Sequence, residues 1–388
     1  MFTTELLNKF SSLNTPFYYY DNDILEHVLN LASSEAKKHK FHVHYAFKAN
    51  VQPTILRSML KHGFGADCVG GNEITCAIEN GFKPKDIVFA GVGKSDWEIE
   101  LGLSLDIFAF NVESLEEILV INHLAKKNNK IASIAARINP NVNAKTHKYI
   151  TTGLDENKFG ISTNDLDELV KTIAKCDNIK LLGLHFHIGS QVTDLTVFKN
   201  LCNRVNQIQR FFTDRNINLP IVNVGGGLGV SYENPDDLSE PNFEEFFTIF
   251  DRFLDKIPGQ EVHFELGRAL VAQCSSLICK TLYVKKGVDV NFAIVDAGMT
   301  ELLRPALYGA YHKIENISKA ALDPTVINKY DVVGPICETS DSFGKAVRLP
   351  MTERGDLIAI RSTGAYGEVM SNRYNLRDLP KSYWKNDL

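Results

Sequence analysis

The 388-residue sequence has no apolar run long enough to cross a bilayer, and Met1-Phe2-Thr3-Thr4-Glu5 lacks the basic and apolar regions of an export signal. A cytoplasmic location is therefore expected. It also lacks a basic stripe: 42 Lys and Arg stand against 47 Asp and Glu, a net charge of -5, so neither nucleic acid nor a membrane surface is an expected partner. Cysteine is sparse and unpatterned. The seven residues Cys68, Cys76, Cys176, Cys202, Cys274, Cys279 and Cys337 form no Cys-x-x-Cys pair and no zinc spacing, which points to reduced thiols and no structural metal. His185 and His187 share one strand face, but no third ligand stands nearby on that element. Solenoid repeats and low-complexity linkers are missing, and no Gly-x-Gly-x-x-Gly follows the first strand of the main repeat, which argues against a dinucleotide-binding open sheet.

What is present is a large apolar complement, 44% of residues, enough for more than one domain. Thr15 to Asp21 reads as a strand and Ile24 to about Lys38 as a helix with an apolar stripe at Leu25, Val28, Leu29 and Leu31. Short apolar runs then recur at His42 to Phe47, Ala66 to Val69, Ile87 to Ala90, Ile107 to Phe110, Ser133 to Ile138, Leu181 to Ile188, Ile221 to Val224 and Val262 to Phe264. Eight such runs, alternating with segments able to form helices or crossovers, predict an α/β fold with a closed (β/α)8 TIM barrel. From about Gln273 the pattern changes to apolar/polar alternation, as in Ser276 to Val284, with further strands expected at Phe292 to Asp296, Tyr330 to Gly334 and Asp356 to Ile360. A C-terminal all-β domain of sandwich or barrel-like form is predicted over 266–388, together with the N-terminal strand of 1–21, and the barrel over 22–265.

Reactive groups of such a barrel lie where strands pass into the following loops. Those positions carry Lys48, Asp67 with Glu73, Asn111, Arg137, His185, His187, Ser190, the run Gly225-Gly226-Gly227, and Glu265 with Arg268. A lysine at an apolar strand end snorkels to water, pairs with an acid, or sheds its proton readily enough to bind an aldehyde. The glycine run lets backbone amides approach an anion, and Ser190 adds a hydroxyl. A reactive lysine beside a phosphate cradle points to pyridoxal 5'-phosphate. Glu265 is placed to serve the pyridine nitrogen, an ion pair with Arg268 being its alternative use. His187 is suited to stack on the ring or to sit within the barrel core.

The sequence resembles the fold type III, alanine-racemase-type pyridoxal-phosphate decarboxylases. The resemblance rests on His44-Tyr45-Ala46-Phe47-Lys48-Ala49-Asn50, Gly183 to Gln191, Asn223 to Gly229, Asp296-Ala297-Gly298-Met299, Arg304 to His312, Gly334 to Asp341, and Gly364-Ala365-Tyr366-Gly367 with Arg373-Tyr374-Asn375. Among these enzymes it is most similar to those that convert meso-2,6-diaminopimelate to L-lysine. The resemblance implies that Lys48 binds the cofactor aldehyde, His187 stacks on its ring, and Asp67 belongs to the cofactor site. Ser190, Gly227 and the backbone from Glu265 through Gly267 to Arg268 would hold the phosphate, with Glu265 at the ring nitrogen. It also implies that Arg268, Arg304 and Tyr308 clamp a substrate carboxylate, and that Tyr366 touches substrate and phosphate. Glu338 would meet the distal ammonium and Cys337 would donate a proton, both from the neighbouring subunit of a homodimer. The usual Glu-Pro-Gly-Arg stands here as Glu265-Leu266-Gly267-Arg268, and Gly70-Gly71-Asn72-Glu73 lacks the serine often found before it. Decarboxylation of another two-ended amino acid such as carboxynorspermidine, and a non-catalytic cofactor-carrying homologue, are the competing readings. The polar loop Asn143 to Tyr149 is a candidate lid.

Overall fold

The computed structural model describes residues 2–142, 158–239, 241–319 and 327–388, so the candidate lid 143–149 lies outside the described residues. The chain divides into two compact units, one of residues 29–229 and 241–269 and one of residues 1–28, 230–240 and 270–388. Strand β1 (Phe17–Tyr20) belongs to the second.

The first unit is the expected closed parallel barrel. Its strands are β2 (His42–Ala46), β3 (Gly65–Cys68), β4 (Ile87–Phe89), β5 (Ala109–Val112), β6 (Ala132–Arg137), β7 (Ile179–His185), β8 (Ile221–Asn223) and β9 (Glu261–Leu266), with β9 pairing back onto β2. Most strand residues are buried on both faces, which is why the strands read as continuous apolar runs. The helix Phe243–Phe253 shows how the outer layer is held. Asn242 caps it by accepting the Glu245 amide at 3.0 Å, and Phe243, Phe246, Phe247 and Phe250 recur at helical spacing on one buried face. Three of these rings pack around Phe264 of β9 at centroid distances of 5.6, 5.0 and 4.9 Å. Each buried phenylalanine contributes roughly 1.5–3 kcal/mol.

The second unit is a sheet in the order β12-β15-β10-β11-β13-β14, with β1 joining β10 and β16. Its strands after the barrel are β10 (Ser275–Lys286), β11 (Asn291–Val295), β12 (Ile314–Asn316), β13 (Ile327–Val333), β14 (Ser342–Pro350), β15 (Leu357–Arg361) and β16 (Lys381–Trp384). Pairing is antiparallel as the alternation predicts, except that β1 runs parallel to β16 and β11 to β13. Phe10, Phe17, Tyr19, Ile278, Ile317 and Leu357 form a buried cluster in this unit. Segment 230–240 belongs here through specific bonds: Arg361 forks onto Asp236, and Gln273 donates to the Asp237 carbonyl at 3.0 Å.

A glycine in β7 is required by the barrel wall. A Cβ on Gly183 would land on the Ile221 carbonyl oxygen of β8, at a point where the β6–β7 register also shifts. Gly183→Ala must therefore push two paired strands apart, and a loss of about 1–3 kcal/mol is expected. Denaturant unfolding measures it, and an unchanged midpoint would show that the wall yields at no cost.

Candidate active site

The lysine at the centre of the first motif is held by its turn rather than by the strand. Strand β2 stops at Ala46, and Lys48 sits in the 3-10 turn Phe47–Ala49, a correction to the strand-end placement. Phe47 and Ala49 are buried on either side of it, and the Tyr45 hydroxyl closes the turn by donating to the Asn50 carbonyl at 2.7 Å. The Lys48 side chain is 41% exposed, so it both reaches water and lies beside an acid, two of the three uses expected of a lysine at an apolar strand end. Its Nζ lies 3.8 Å from Oδ2 of Asp67 on β3, whose side chain is fully buried.

Asp67 is unusual for a carboxylate. Among the described residues neither oxygen has a hydrogen-bond partner. Burial pushes its pKa to about 8, with the nearby Glu265 charge adding to the rise and Lys48 opposing it.

Glu265 on β9 is the opposite case. Its Oε1 accepts from Asn111 Nδ2 at 2.8 Å and from Asn223 Nδ2 at 2.7 Å, and its Oε2 accepts from His185 Nε2 at 3.0 Å. Burial pushes this carboxyl up, but the charge and hydrogen bond of His185, then the charge of Lys48, outweigh it and hold the group well below the usual range. Two lone-pair directions on each oxygen leave one free on Oε2, room for one further N–H. Arg268 donates from Nε and Nη2 to the Ser190 hydroxyl at 3.3 and 3.2 Å.

The glycine run is built by close approach. Gly225 and Gly227 have positive φ of 71° and 109°, and a Cβ on Gly226 would strike the Glu265 carbonyl. The Gly226 amide donates to His187 Nδ1 at 3.3 Å, which leaves the proton of a neutral imidazole on Nε2. Burial, then the charges of Arg137 and Lys48, keep His187 neutral by lowering its pKa well below the usual value. Leu266, where proline is usual, is the last residue of β9 and is aligned with Tyr45 of β2. Glu73 accepts the Val69 amide at 2.7 Å, and burial raises its pKa.

Lys48, Asp67, His187, Ser190, Gly227, Glu265, Gly267 and Arg268 thus all lie in the barrel unit. The buried atoms without partners there, both Asp67 oxygens, Asn111 Oδ1 and His185 Nδ1, together with the glycine cradle, suit a polar, phosphate-bearing ring such as pyridoxal phosphate. Asn223 was not singled out from the sequence. Its signal was a polar residue inside the seventh apolar run, two residues before the glycines.

Arg304, Tyr308, Cys337, Glu338 and Tyr366 belong to the sheet unit. Buried Arg304 donates from Nη1 to the Tyr232 hydroxyl at 3.0 Å and to His312 Nε2 at 2.8 Å. His312 Nδ1 in turn donates to the Arg361 carbonyl at 2.8 Å, which fixes the tautomer. Asp341 anchors the loop that carries Cys337 by accepting the amides of Ile336 at 2.7 Å and Met299 at 2.6 Å, which ties two of the sequence motifs together. All seven cysteines are free, and Cys337 is the exposed one. Glu338 accepts from the Tyr374 hydroxyl at 2.6 Å, and Tyr366 has a φ of 56°.

The raised pKa of Asp67 gives a signed expectation. The unfolded chain ionises this group near 3.8, the folded one near 8, so stability is lost as pH rises between those values. Asp67→Asn removes the penalty. In the ligand-free protein, its stability relative to wild type should grow by about 1 kcal/mol per pH unit between about pH 5 and 8, then level off. Chemical denaturation at several pH values measures this, and a difference independent of pH would refute it.

Residues 22–272 match the family model described as pyridoxal-dependent decarboxylase, pyridoxal binding domain. The chain is 54% identical over 383 residues to a Bacteroides thetaiotaomicron diaminopimelate decarboxylase, covering 98% of each chain. It superposes on a point variant of the Helicobacter pylori diaminopimelate decarboxylase, solved with L-lysine, with a TM-score of 0.91 at 40% identity over 98% of this chain and 94% of that one. The M. jannaschii diaminopimelate decarboxylase, in co-complex with L-lysine, gives a TM-score of 0.87 at 34% identity over 99% of this chain and 89% of that one. A glutamate held anionic by three strands, a turn-borne lysine beside a buried acid and a whole-length match agree: the chain belongs to the pyridoxal-dependent decarboxylases and, within them, to the diaminopimelate decarboxylase family.

Proposed function

We propose that the protein removes one carboxylate of meso-2,6-diaminopimelate to give L-lysine and carbon dioxide. The observation that carries this reading is the whole-length likeness to diaminopimelate decarboxylases in a chain that keeps Lys48, Glu265 and Cys337. Pyridoxal phosphate, when bound, supplies the aldehyde that takes up the substrate amine and a ring that withdraws the electrons released with carbon dioxide.

The protein groups divide the remaining work. Lys48 Nζ binds the cofactor and, on release, exchanges a proton with the adjacent Asp67 carboxyl, which its raised pKa suits to the task. Glu265 Oε2 offers its free lone pair to the ring nitrogen and keeps a proton there. His187, fixed by the Gly226 amide, covers one ring face. Ser190, Gly227, Gly267 and Arg268 hold the phosphate, with Tyr366 touching both phosphate and substrate. Arg268, Arg304 and Tyr308 receive a substrate carboxylate, and Glu338 the distal ammonium. The thiol of Cys337 then places a proton on the carbon that lost its carboxylate.

Cys337 and Glu338 serve the site of a second copy, so the working form is a homodimer. An arginine and a glutamate that each meet an opposite charge discriminate against substrates charged at one end only, because buried Arg304 left without a carboxylate would stay desolvated and unmatched. Among the described residues no helix is long and apolar enough to cross a membrane; we place the enzyme in the cytoplasm.

Carbon dioxide release from meso-diaminopimelate, with carboxynorspermidine as a competitor, tests the assignment. Release that yields L-lysine, vanishes in Lys48→Ala and falls by about 10²–10⁴ in Cys337→Ala is expected. Turnover of carboxynorspermidine alone would retain the reaction class and overturn the substrate.

A further inference from the structure

A cavity opens at the opposite end of the barrel. The N-terminal ends of β2, β3, β4 and β9, with the loop residues before them, surround a cavity of about 750 Å³. Pockets that hold small molecules have about this size, whereas this face of such a barrel ordinarily serves stability alone. Lys37, Lys40, Lys83 and Lys85 line it. Among the described residues, none of these four lysines is in an ion pair, although neighbouring Lys38 is closely paired with Glu35.

The wall of the cavity is made of buried, mutually fixed histidines. His44 is 5% exposed and His263 4%, and His44 Nε2 lies 2.9 Å from His263 Nδ1. His44 Nδ1 faces the Asp86 carbonyl at 3.2 Å, so it carries the proton; His44 Nε2 is then the acceptor and His263 Nδ1 the donor. Gly65 is needed for this arrangement, because a Cβ there would come within 2.5 Å of both His44 Nδ1 and the Asp86 carbonyl oxygen. His62 adds a third buried imidazole, at 3.3 Å from the Ser33 hydroxyl.

Two acids also line the space. They are Asp86 and Glu261, against the four lysines; Glu261 lies 3.3 Å from His263 Nε2 and 3.9 Å from His42 Nε2. Burial, opposed by Glu265, lowers the His44 pKa, and burial with the neighbouring histidines lowers that of His263, so the wall is neutral and the positive field comes from the rim. The lining therefore carries two more positive than negative charges, focused over a partly enclosed space.

We propose that this cavity binds a small multivalent oxyanion, a phosphate ester or a polycarboxylate, gripped by Lys37, Lys40, Lys83 and Lys85 above the His44–His263 pair. It is a binding site separate from the reaction at the C-terminal ends of the strands, and it does not rest on the identity of the substrate.

Isothermal titration of the cofactor-loaded enzyme with inorganic pyrophosphate, and separately with citrate, tests the proposal. With the phosphate cradle of the active site filled, a saturable site of one anion per chain is expected for at least one of the two, and which one binds identifies the source. Lys83→Ala/Lys85→Ala should weaken that binding by about tenfold or more while leaving basal decarboxylation and the thermal midpoint of the anion-free enzyme unchanged. No saturable heat with either anion would overturn the proposal. So would an affinity unchanged in the lysine variant, which would locate the anion elsewhere.

Discussion

Everything at the mouth of the barrel turns on one carboxylate with too many donors to be neutral. Asn111 of β5, Asn223 of β8 and His185 of β7 all give hydrogen bonds to Glu265 of β9. The charge and hydrogen bond of His185, with the charge of Lys48, outweigh the burial that would neutralise it, and the two asparagine amides satisfy the other oxygen. The negative charge has consequences close by. It helps keep Asp67 protonated, and so leaves that carboxyl able to trade a proton with Lys48. Two buried acids in one barrel thus shift in opposite directions: His185 stabilises the charge on Glu265, while burial and the Glu265 charge together oppose a charge on Asp67.

The glycine run is the geometric counterpart of that charge. Gly226 has no room for a side chain because its backbone passes against the Glu265 carbonyl, and its amide fixes His187. The strand that delivers Glu265 is therefore in contact with the loop that forms the anion cradle, and Arg268, three residues beyond Glu265, reaches Ser190. The Glu265 charge, the glycine run and the orientation of His187 are thus set around a single strand end. In the sheet unit the same economy holds for the Cys337 loop, where Asp341 joins two separate motifs through two backbone amides.

The barrel was legible because its strands are buried on both faces and so read as unbroken apolar runs, most of them passing into a polar residue or a glycine. Lys48 and Glu265 could be located that way. Their partners could not: Asn111 lies 154 residues from Glu265, His185 80 and Asn223 42, and only closure of the barrel brings them to one carboxylate. Strands β12, β14 and β16 escaped the reading since each is short or largely exposed, as in Ser342–Pro350, with glycine and proline interrupting the alternation. The cavity at the N-terminal face was equally hidden, because its lysines come from the end of one helix and from two turns with no shared motif.

The most direct test of the Glu265 assignment is the 15N resonance of pyridoxal phosphate labelled at the ring nitrogen, bound to wild type and to Glu265→Gln. A ring nitrogen protonated from about pH 6 to 9 in the wild type, and bare in the variant, is expected of an anionic acceptor held by three donors. A bare nitrogen in the wild type, or a variant that keeps the proton, would contradict it.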